Sequence, residues 1–352
     1  MPDASWYLDP QDCDSLAQMD TGILCSPNSI GRYADLQQQD ELETLEFLRV
    51  HPWREGLAQR LADRPWLRDI IIDPRRPAAV LGIGLTPGLR VLDVGSGWGQ
   101  LSIPLAKLGH RVCSLDQTPS RLRLMMAIAR QESVSLAPIC GDIETFPVRK
   151  QGFDLVILNG VLEWTVRDRT AASTSAADHQ VAVLQRCRSL LAPGGRIFLA
   201  IENALGLKYL MGSREDHAGV PWAGLADDHQ SEQIWRRAGA DCMRARTHDL
   251  AGYRSIIAKA GLIEGAAWGC FPDYKLPNHV VPLAGIDKFL LGEPDWMEHH
   301  GDNGAPLPTD WPWREAYRRF ARLGCGWAVA PSYAFVLTAN ALAPGATIGD
   351  RP

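Results

Sequence analysis

The chain predicts an α/β fold built on a doubly wound, mostly parallel sheet, and three observations carry that prediction. Short apolar runs alternate with amphipathic stretches between residues 90 and 202; a glycine-rich turn follows the first run; and an acid or a turn residue closes each of the next ones. Alternation of this kind needs crossover connections, and those place helices on both faces of the sheet.

The elements follow in order. Residues 1–35 are polar and turn-rich without a clear period, while 40–50 and 53–62 read as helices, the second setting Trp53, Leu57 and Leu61 on one face. Pro65, Pro74 and Pro77 punctuate the connector to the first core strand, Arg90–Val94. The next helix begins near Gly99 and tolerates Pro104 in its first turns, where amides lack intrahelical partners. Strand two, Arg111–Leu115, leads into Thr118-Pro119, read as an N-cap with proline at the first helical position. That helix carries Leu122, Met125, Met126 and Ala129 on one face. Strand three is Ala137–Cys140 and strand four Asp154–Asn159. A helix around His179–Leu191 follows, then the turn Pro193-Gly194-Gly195 and strand five, Arg196–Glu202. Beyond these, Thr247–Ala260 reads as a helix, Leu262–Phe271 as a sixth strand and Tyr333–Ala339 as a last β-rich strand. Two long excursions, 203–230 and 272–331, leave the carboxyl-end edge of the sheet, where long loops commonly form lids or substrate walls.

The segment boundaries expected are a helical extension over 1–80, a cofactor-binding core over 81–202, and a substrate lid over 203–246. A core helix and strand over 247–271, a second insertion over 272–331, and a closing strand with its tail over 332–352 complete them.

Chemistry concentrates in three blocks: Val91-Leu92-Asp93-Val94-Gly95-Ser96-Gly97-Trp98-Gly99, Ser114-Leu115-Asp116-Gln117, and Cys140-Gly141-Asp142-Ile143. Glycines after the first strand let the backbone turn tightly and approach a ligand, because no Cβ intrudes. Asp116, about 20 residues further on, stands where a carboxylate accepts two hydrogen bonds from a ribose diol. A dinucleotide fingerprint needs a third glycine where this chain has Gln100, which argues against a nicotinamide oxidoreductase. Asp93 before the loop would repel a pyrophosphate but suits a ligand carrying an ammonium and a sulfonium.

These blocks resemble those of the class I S-adenosylmethionine (SAM) dependent methyltransferases over roughly residues 85–202, plus the closing strand. The resemblance implies a seven-stranded sheet whose last strand runs antiparallel between the fifth and sixth, and SAM as cofactor. It places the methionine half of SAM at Asp93, Gly95, Ser96, Gly97 and Gly99, the ribose at Asp116 with Gln117 beside it, the adenine at Asp142 and Ile143, and Asn159 at the end of strand four. Further blocks, Glu202-Asn203-Ala204-Leu205-Gly206-Leu207-Lys208-Tyr209, Glu215-Asp216-His217 and Pro272-Asp273-Tyr274-Lys275-Leu276-Pro277, resemble one bacterial subgroup associated with surface-polysaccharide and secondary-metabolite settings. Ala204 departs from the arginine or lysine expected there, which implies a different acceptor.

For the reaction itself, His217 is the first candidate base, since imidazole titrates near neutrality and two acids precede it; Glu163 is the second. Trp164, Asn203, Lys208, Tyr209, Asp273, Tyr274 and Lys275 are candidate acceptor contacts, each equally open to a purely structural role. Trp222, Trp235, Trp296, Trp311 and Trp313 either wall the acceptor or pack the excursions onto the core.

Composition agrees. A chain of 352 residues with 46% hydrophobic residues can bury a large core, and a net charge of −5 without a long basic run argues against a polynucleotide partner. Strand four ends in Asn159-Gly160-Val161-Leu162, not the Asn-Pro-Pro-aromatic turn of amino-group methylases of DNA. The eight cysteines stand singly, so neither a disulfide framework nor a metal site is expected. No apolar stretch is long enough to cross a membrane and the N-terminus has no signal-peptide pattern, so a reducing cytoplasm is expected.

The expected activity is methyl transfer from SAM to a small-molecule or glycan-precursor acceptor, foremost to oxygen. N- or S-methylation and a non-catalytic partner role are the alternatives, and a homodimer is left open.

Overall fold

The computed structural model describes residues 5–9, 16–19, 22–26, 38–168, 175–292 and 310–340. The chain divides into two units: residues 1–158, 186–197 and 343–352 form the first, and residues 159–185 and 198–342 the second. Among the described residues there are ten strands. They are β1 (Ala17–Gln18), β2 (Leu24–Cys25), β3 (Arg90–Val94), β4 (Arg111–Asp116), β5 (Ala137–Cys140), β6 (Phe153–Asn159), β7 (Leu191–Glu202), β8 (Ile263–Phe271), β9 (His279–Pro282) and β10 (Ser332–Thr338).

In the first unit the order is β1-β2-β5-β4-β3-β6, with the first half of β7 beyond. Neighbours from β2 to β6 pair in parallel, with Val91 opposite Val112 on one side and Leu155 on the other. Parallel strands are covered on both faces, which explains why Leu155 to Leu158 and Val91, Leu92 and Val94 are all buried. The chain winds from β3 toward β4 and β5, then returns to the other side of β3 with β6. That reversal is a topological switch point, where open α/β sheets bind ligands beyond the carboxyl ends of their strands.

Helices connect these strands. The helix Ser102–Lys107 starts three residues later than the glycine turn predicts, because Gly95, Gly97 and Gly99 all adopt positive φ and hold the turn open. In Pro119–Gln131 the buried face is Leu122, Leu124, Met125, Ile128 and Ala129, while Met126 is only half-buried. Thr118 stands at its N-cap, but its hydroxyl makes no capping bond; its amide instead donates to Asp116 Oδ1 at 2.8 Å. The N-terminal helices Gln38–Phe47 and Trp53–Arg60 dock on this helix. Arg123 clamps the buried Glu41 carboxylate at 2.5 and 2.9 Å, and the Gln131 amide donates to the carbonyls of Leu48 and His51.

In the second unit the end of β7 is followed in the sheet by β10, β8 and β9. β10 and β8 run antiparallel in near-continuous register, as do β8 and β9. The position expected for the closing strand is therefore the one it takes. The excursions fold into helices of their own. Asp228–Arg237 opens with a capping box between Asp227 and Gln230, and Asp310–Arg322 contributes the buried Trp313. Trp235 is likewise buried, whereas Trp222 is exposed; Trp296 and the side chain of Trp311 lie outside the described residues. No helix among the described residues is long and apolar enough to cross a membrane.

The sheet thus exceeds the seven strands expected. β1, β2 and β9 are two to four residues long and too brief to show a period of their own, so only pairing with neighbours defines them.

Gly160 marks one demanding position in the second unit. Its φ is +72°, and a Cβ there would lie 2.2 Å from Tyr274 Oη. Gly160→Ala is expected to cost about 2–5 kcal/mol through backbone strain and overpacking, read as a lowered midpoint in urea denaturation.

Candidate methyltransferase site

In the first unit, the glycine turn after β3 is tied to the end of β4. Ser96 N donates to Leu115 O at 3.0 Å and Gly97 N donates to Asp116 Oδ2 at 2.9 Å. Asp116 therefore holds the turn with one oxygen and the start of the next helix with the other, while Arg121 approaches Oδ2 at 4.0 Å and lies over the Trp98 ring. At Gly99, a Cβ would meet Met125 Cγ at 2.6 Å, so a side chain there would displace the helix that buttresses the turn.

Asp93, next to last in β3, is almost fully buried, and its Oδ2 accepts from Ser102 Oγ at 2.6 Å; Ser114 Oγ in turn donates to Ser102 Oγ. Burial raises the Asp93 pKa to about 7; Ser102 opposes that shift and the nearby Asp116 reinforces it. Further along, Gln117 Nε2 donates to Asp142 Oδ2, Asp142 Oδ1 accepts from Glu144 N, and Ile143 is buried beside them. Ser96 Oγ and Thr118 Oγ1 are buried without a hydrogen-bond partner, as is Asn159 Nδ2 at the end of β6. Buried polar atoms are seldom left so. In the first unit, the orphaned hydroxyls of Ser96 and Thr118 beside a turn of positive-φ glycines fit a polar ligand with the chemistry of an adenosine cofactor.

The second unit holds a dense cluster of charges. Glu163 sits in the 3-10 run Leu162–Asp168, Glu202 ends β7, and Lys208 lies on the short helix Leu207–Leu210. Glu215, Asp216 and His217 occupy the following loop, and Tyr274 and Lys275 follow β8. Lys275 Nζ bridges Glu202 Oε1 and Asp216 Oδ2, 2.8 Å from each, and Lys208 Nζ reaches the two Asp216 oxygens at 3.1 and 3.0 Å. Tyr274 Oη donates to Glu202 Oε1 at 3.1 Å. His217 Nδ1 pairs with Glu215, whose other oxygen accepts the amides of His217 and Ala218. His217 Nε2 faces Glu163 Oε1 at 3.9 Å and Glu202 Oε2 at 3.8 Å, with Trp164 edge-on to its ring.

The electrostatics follow from burial and neighbours. Burial alone would lower the His217 pKa, but Glu215 and Glu202 outweigh it and hold the imidazole well above its usual range. Burial, reinforced by Glu202, raises the Glu163 carboxyl. Lys275 overcomes burial at Glu202 and pulls that carboxyl down. Asp216 is held far below the carboxylate range by Lys275 and Lys208, against its burial.

The structure thus brings His217, Glu163, Trp164, Lys208, Tyr274 and Lys275 into one neighbourhood, with Tyr209 beside Lys208. Two expected acceptor contacts have other occupations. Asn203 is fully buried, donates from Nδ2 to the carbonyls of Ala328 and Ala330, and accepts from Leu205 N, so no polar atom of its amide group is left without a protein partner. Asp273 Oδ1 accepts the amides of Lys275 and Leu276 and shapes the turn carrying Tyr274. Glu202, the residue sequence reasoning did not single out, is the hub of the cluster. Its signals are its place as the acid closing an apolar strand and as the first residue of the Glu202–Tyr209 block.

A methyltransferase-domain family model matches residues 85–229. Those residues are a methyltransferase domain. The cofactor of this methyltransferase domain is S-adenosylmethionine, and its fold is the doubly wound α/β fold predicted. The domain is similar to an uncharacterised protein of Mycobacterium bovis, 34% identical over 138 residues, which covers 39% of this chain and 46% of that one. It is also similar to a ubiquinone biosynthesis O-methyltransferase of Xanthomonas campestris, 31% identical over 150 residues, covering 41% and 58%. The chain spans about half the length of the curated relatives it matches. Among solved structures, the CcbJ methyltransferase of Streptomyces caelestis aligns with a TM-score of 0.44 at 16% identity, over 76% of this chain and 90% of that one.

As the proposed partner of the cofactor's ammonium group, Asp93 is expected to make SAM binding pH-dependent. Its raised pKa means the folded protein without cofactor keeps a proton that the unfolded chain has released. Stability therefore falls as pH rises from about 4 to about 7, by a few kcal/mol. An ammonium ligand needs the ionised carboxylate, so SAM affinity is expected to rise up to about tenfold per pH unit below 7 and to level off above it. Calorimetry of SAM binding from pH 5.5 to 8.5 reads this directly; a flat profile would show that Asp93 is not the partner of the ammonium.

Proposed function

We infer that the whole chain is a SAM-dependent methyltransferase acting on a hydroxyl of a small-molecule or glycan-precursor acceptor. The observation that carries this reading is the buried carboxylate and imidazole cluster around Glu163, Glu202, Glu215 and His217. Glu163 follows the carboxyl end of β6 and Glu202 ends β7, the edge at which open α/β sheets bind their ligands.

SAM, when bound, supplies an electrophilic methyl group. What this chain adds is a place for the acceptor's proton. A hydroxyl must lose its proton to become a good nucleophile, and a positioned group that takes it contributes about 10² to 10⁴ in rate. Among the cluster's members, Glu163 has both oxygens without a hydrogen-bond partner and a raised pKa, so it is the one suited to receive a proton. His217, named first from sequence, is held protonated by Glu215 and Glu202, and its role shifts to a cation that steadies the neighbouring carboxylates. Lys275 and Tyr274 position Glu202, and Lys208 and Lys275 share Asp216. The burial of Glu163, Glu202 and Glu215 also limits access of competing water.

The ubiquinone-biosynthesis relatives, named as O-methyltransferases, support oxygen as the methylated atom. Cys113, Cys187 and Cys270, buried free thiols, suit a reducing cytoplasm. The test is a screen of metabolite extracts with isotopically labelled SAM. Label recovered as a base-stable methyl ether supports the reading, and label on an amine or a thiol removes it.

A further inference from the structure

We propose that Glu163, Glu202 and His217 form a binding site for one divalent first-row metal ion, of the zinc or manganese class. No metal site is expected from the residue spacing, since no close cysteine and histidine cluster is present. The site stands on the cluster's geometry alone and does not depend on which atom is methylated.

One carboxylate oxygen from each glutamate and one ring nitrogen of His217 lie within 4.8 Å of one another. Ligands about 2.0–2.2 Å from a shared ion stand about 3.0 Å apart when adjacent and about 4.2 Å apart when opposite. The observed 3.8 and 3.9 Å from His217 Nε2 fall in that interval. They are also too long for hydrogen bonds.

The carboxylates themselves call for a cation. Glu163 has no exposed surface, and neither of its oxygens has a hydrogen-bond partner. Glu202 Oε2 is likewise buried and without a partner, although Oε1 of the same group is held by Lys275 and Tyr274. Two orphaned carboxylate oxygens, Glu163 Oε1 and Glu202 Oε2, therefore face one imidazole nitrogen. Glu215 on Nδ1 completes the arrangement, because a carboxylate that accepts a hydrogen bond from Nδ1–H favours the tautomer whose Nε2 lone pair is available to a metal. Two charged oxygens and one nitrogen favour zinc or manganese over magnesium or calcium, whose preferred shells are oxygen alone. The surrounding charges agree. Four carboxylates, from Glu163, Glu202, Glu215 and Asp216, face two ammonium groups, from Lys208 and Lys275, and a divalent ion that displaces the proton from His217 Nε2 meets two net negative charges to cancel. Coordinated there, such an ion would act as a Lewis acid that acidifies a bound hydroxyl.

The experiment uses the full chain after dialysis against a chelator, titrated with manganese chloride and followed by electron paramagnetic resonance, with zinc chloride as a competitor. One equivalent of Mn²⁺ is expected to bind and to be displaced by Zn²⁺, with Mg²⁺ at least tenfold weaker. Glu163→Gln is nearly isosteric and removes no hydrogen bond, so it should fold as the parent does and bind Mn²⁺ at least tenfold less tightly. Glu215→Gln should weaken binding about 10- to 100-fold through the histidine. Failure of the parent protein to bind Mn²⁺ or Zn²⁺ at millimolar concentration overturns the site, as does binding unchanged in both variants. Neither result bears on the methylated atom, which the labelled-SAM screen reads separately.

Discussion

Asp116→Ala is expected to weaken SAM binding at least about 100-fold in isothermal calorimetry. Two hydrogen bonds from a ribose diol to a carboxylate are each worth about 1.5–3 kcal/mol, so losing both removes at least two decades of affinity. The structure adds a second consequence. Asp116 also accepts the amides of Gly97 and Thr118, so the alanine variant loosens the glycine turn and the first turn of the helix beyond it. A stability loss of about 2–3 kcal/mol is expected alongside the binding defect, well short of unfolding. Asp116→Asn separates the two effects. An amide oxygen can keep one of the backbone bonds, but the NH₂ group cannot accept from a hydroxyl or from the other amide, so stability should return only in part while affinity stays low. An alanine variant that binds SAM within threefold of the parent would end the assignment of Asp116 to the ribose.

Glu163→Gln and His217→Ala are each expected to lower turnover about 10²- to 10⁴-fold, with SAM affinity within threefold of the parent. Their effects should not add. Glu163 and His217 share Glu202 as a neighbour, so the double variant should lose little more than the worse single one. Initial rates with the acceptor identified by labelled SAM, set against calorimetric SAM binding, measure both quantities. Single variants that keep full turnover would move proton handling out of this cluster and leave it a structural knot of charge.

Sequence legibility tracks how local the cause is. The glycine turn was readable because positive φ at Gly95, Gly97 and Gly99 is a property of those residues themselves. The spans of β3 to β6 were readable within a residue or two because buried parallel strands announce themselves as unbroken apolar runs. Thr118 misled at one point: its position is that of an N-cap, yet its hydroxyl makes no capping bond, and its own amide donates instead to Asp116, two residues earlier. Asn203 misled in another way. A polar residue in a long connection reads as exposed and available, whereas carbonyls more than a hundred residues away consume its amide.

What the sequence alone determined is the α/β alternation, S-adenosylmethionine as the cofactor of the methyltransferase domain, and the presence of acids, a histidine and lysines in the excursions. Periodicity and turn chemistry act over a few residues, so a linear reading captures them. Only the tertiary structure decided how those charges combine. Glu202 and Lys275 are far apart along the chain but 2.8 Å apart in space, and His217 meets Glu163 across an entire strand and helix. The balance among buried charges depends on distances and dehydration, and neither exists until the chain has closed around them.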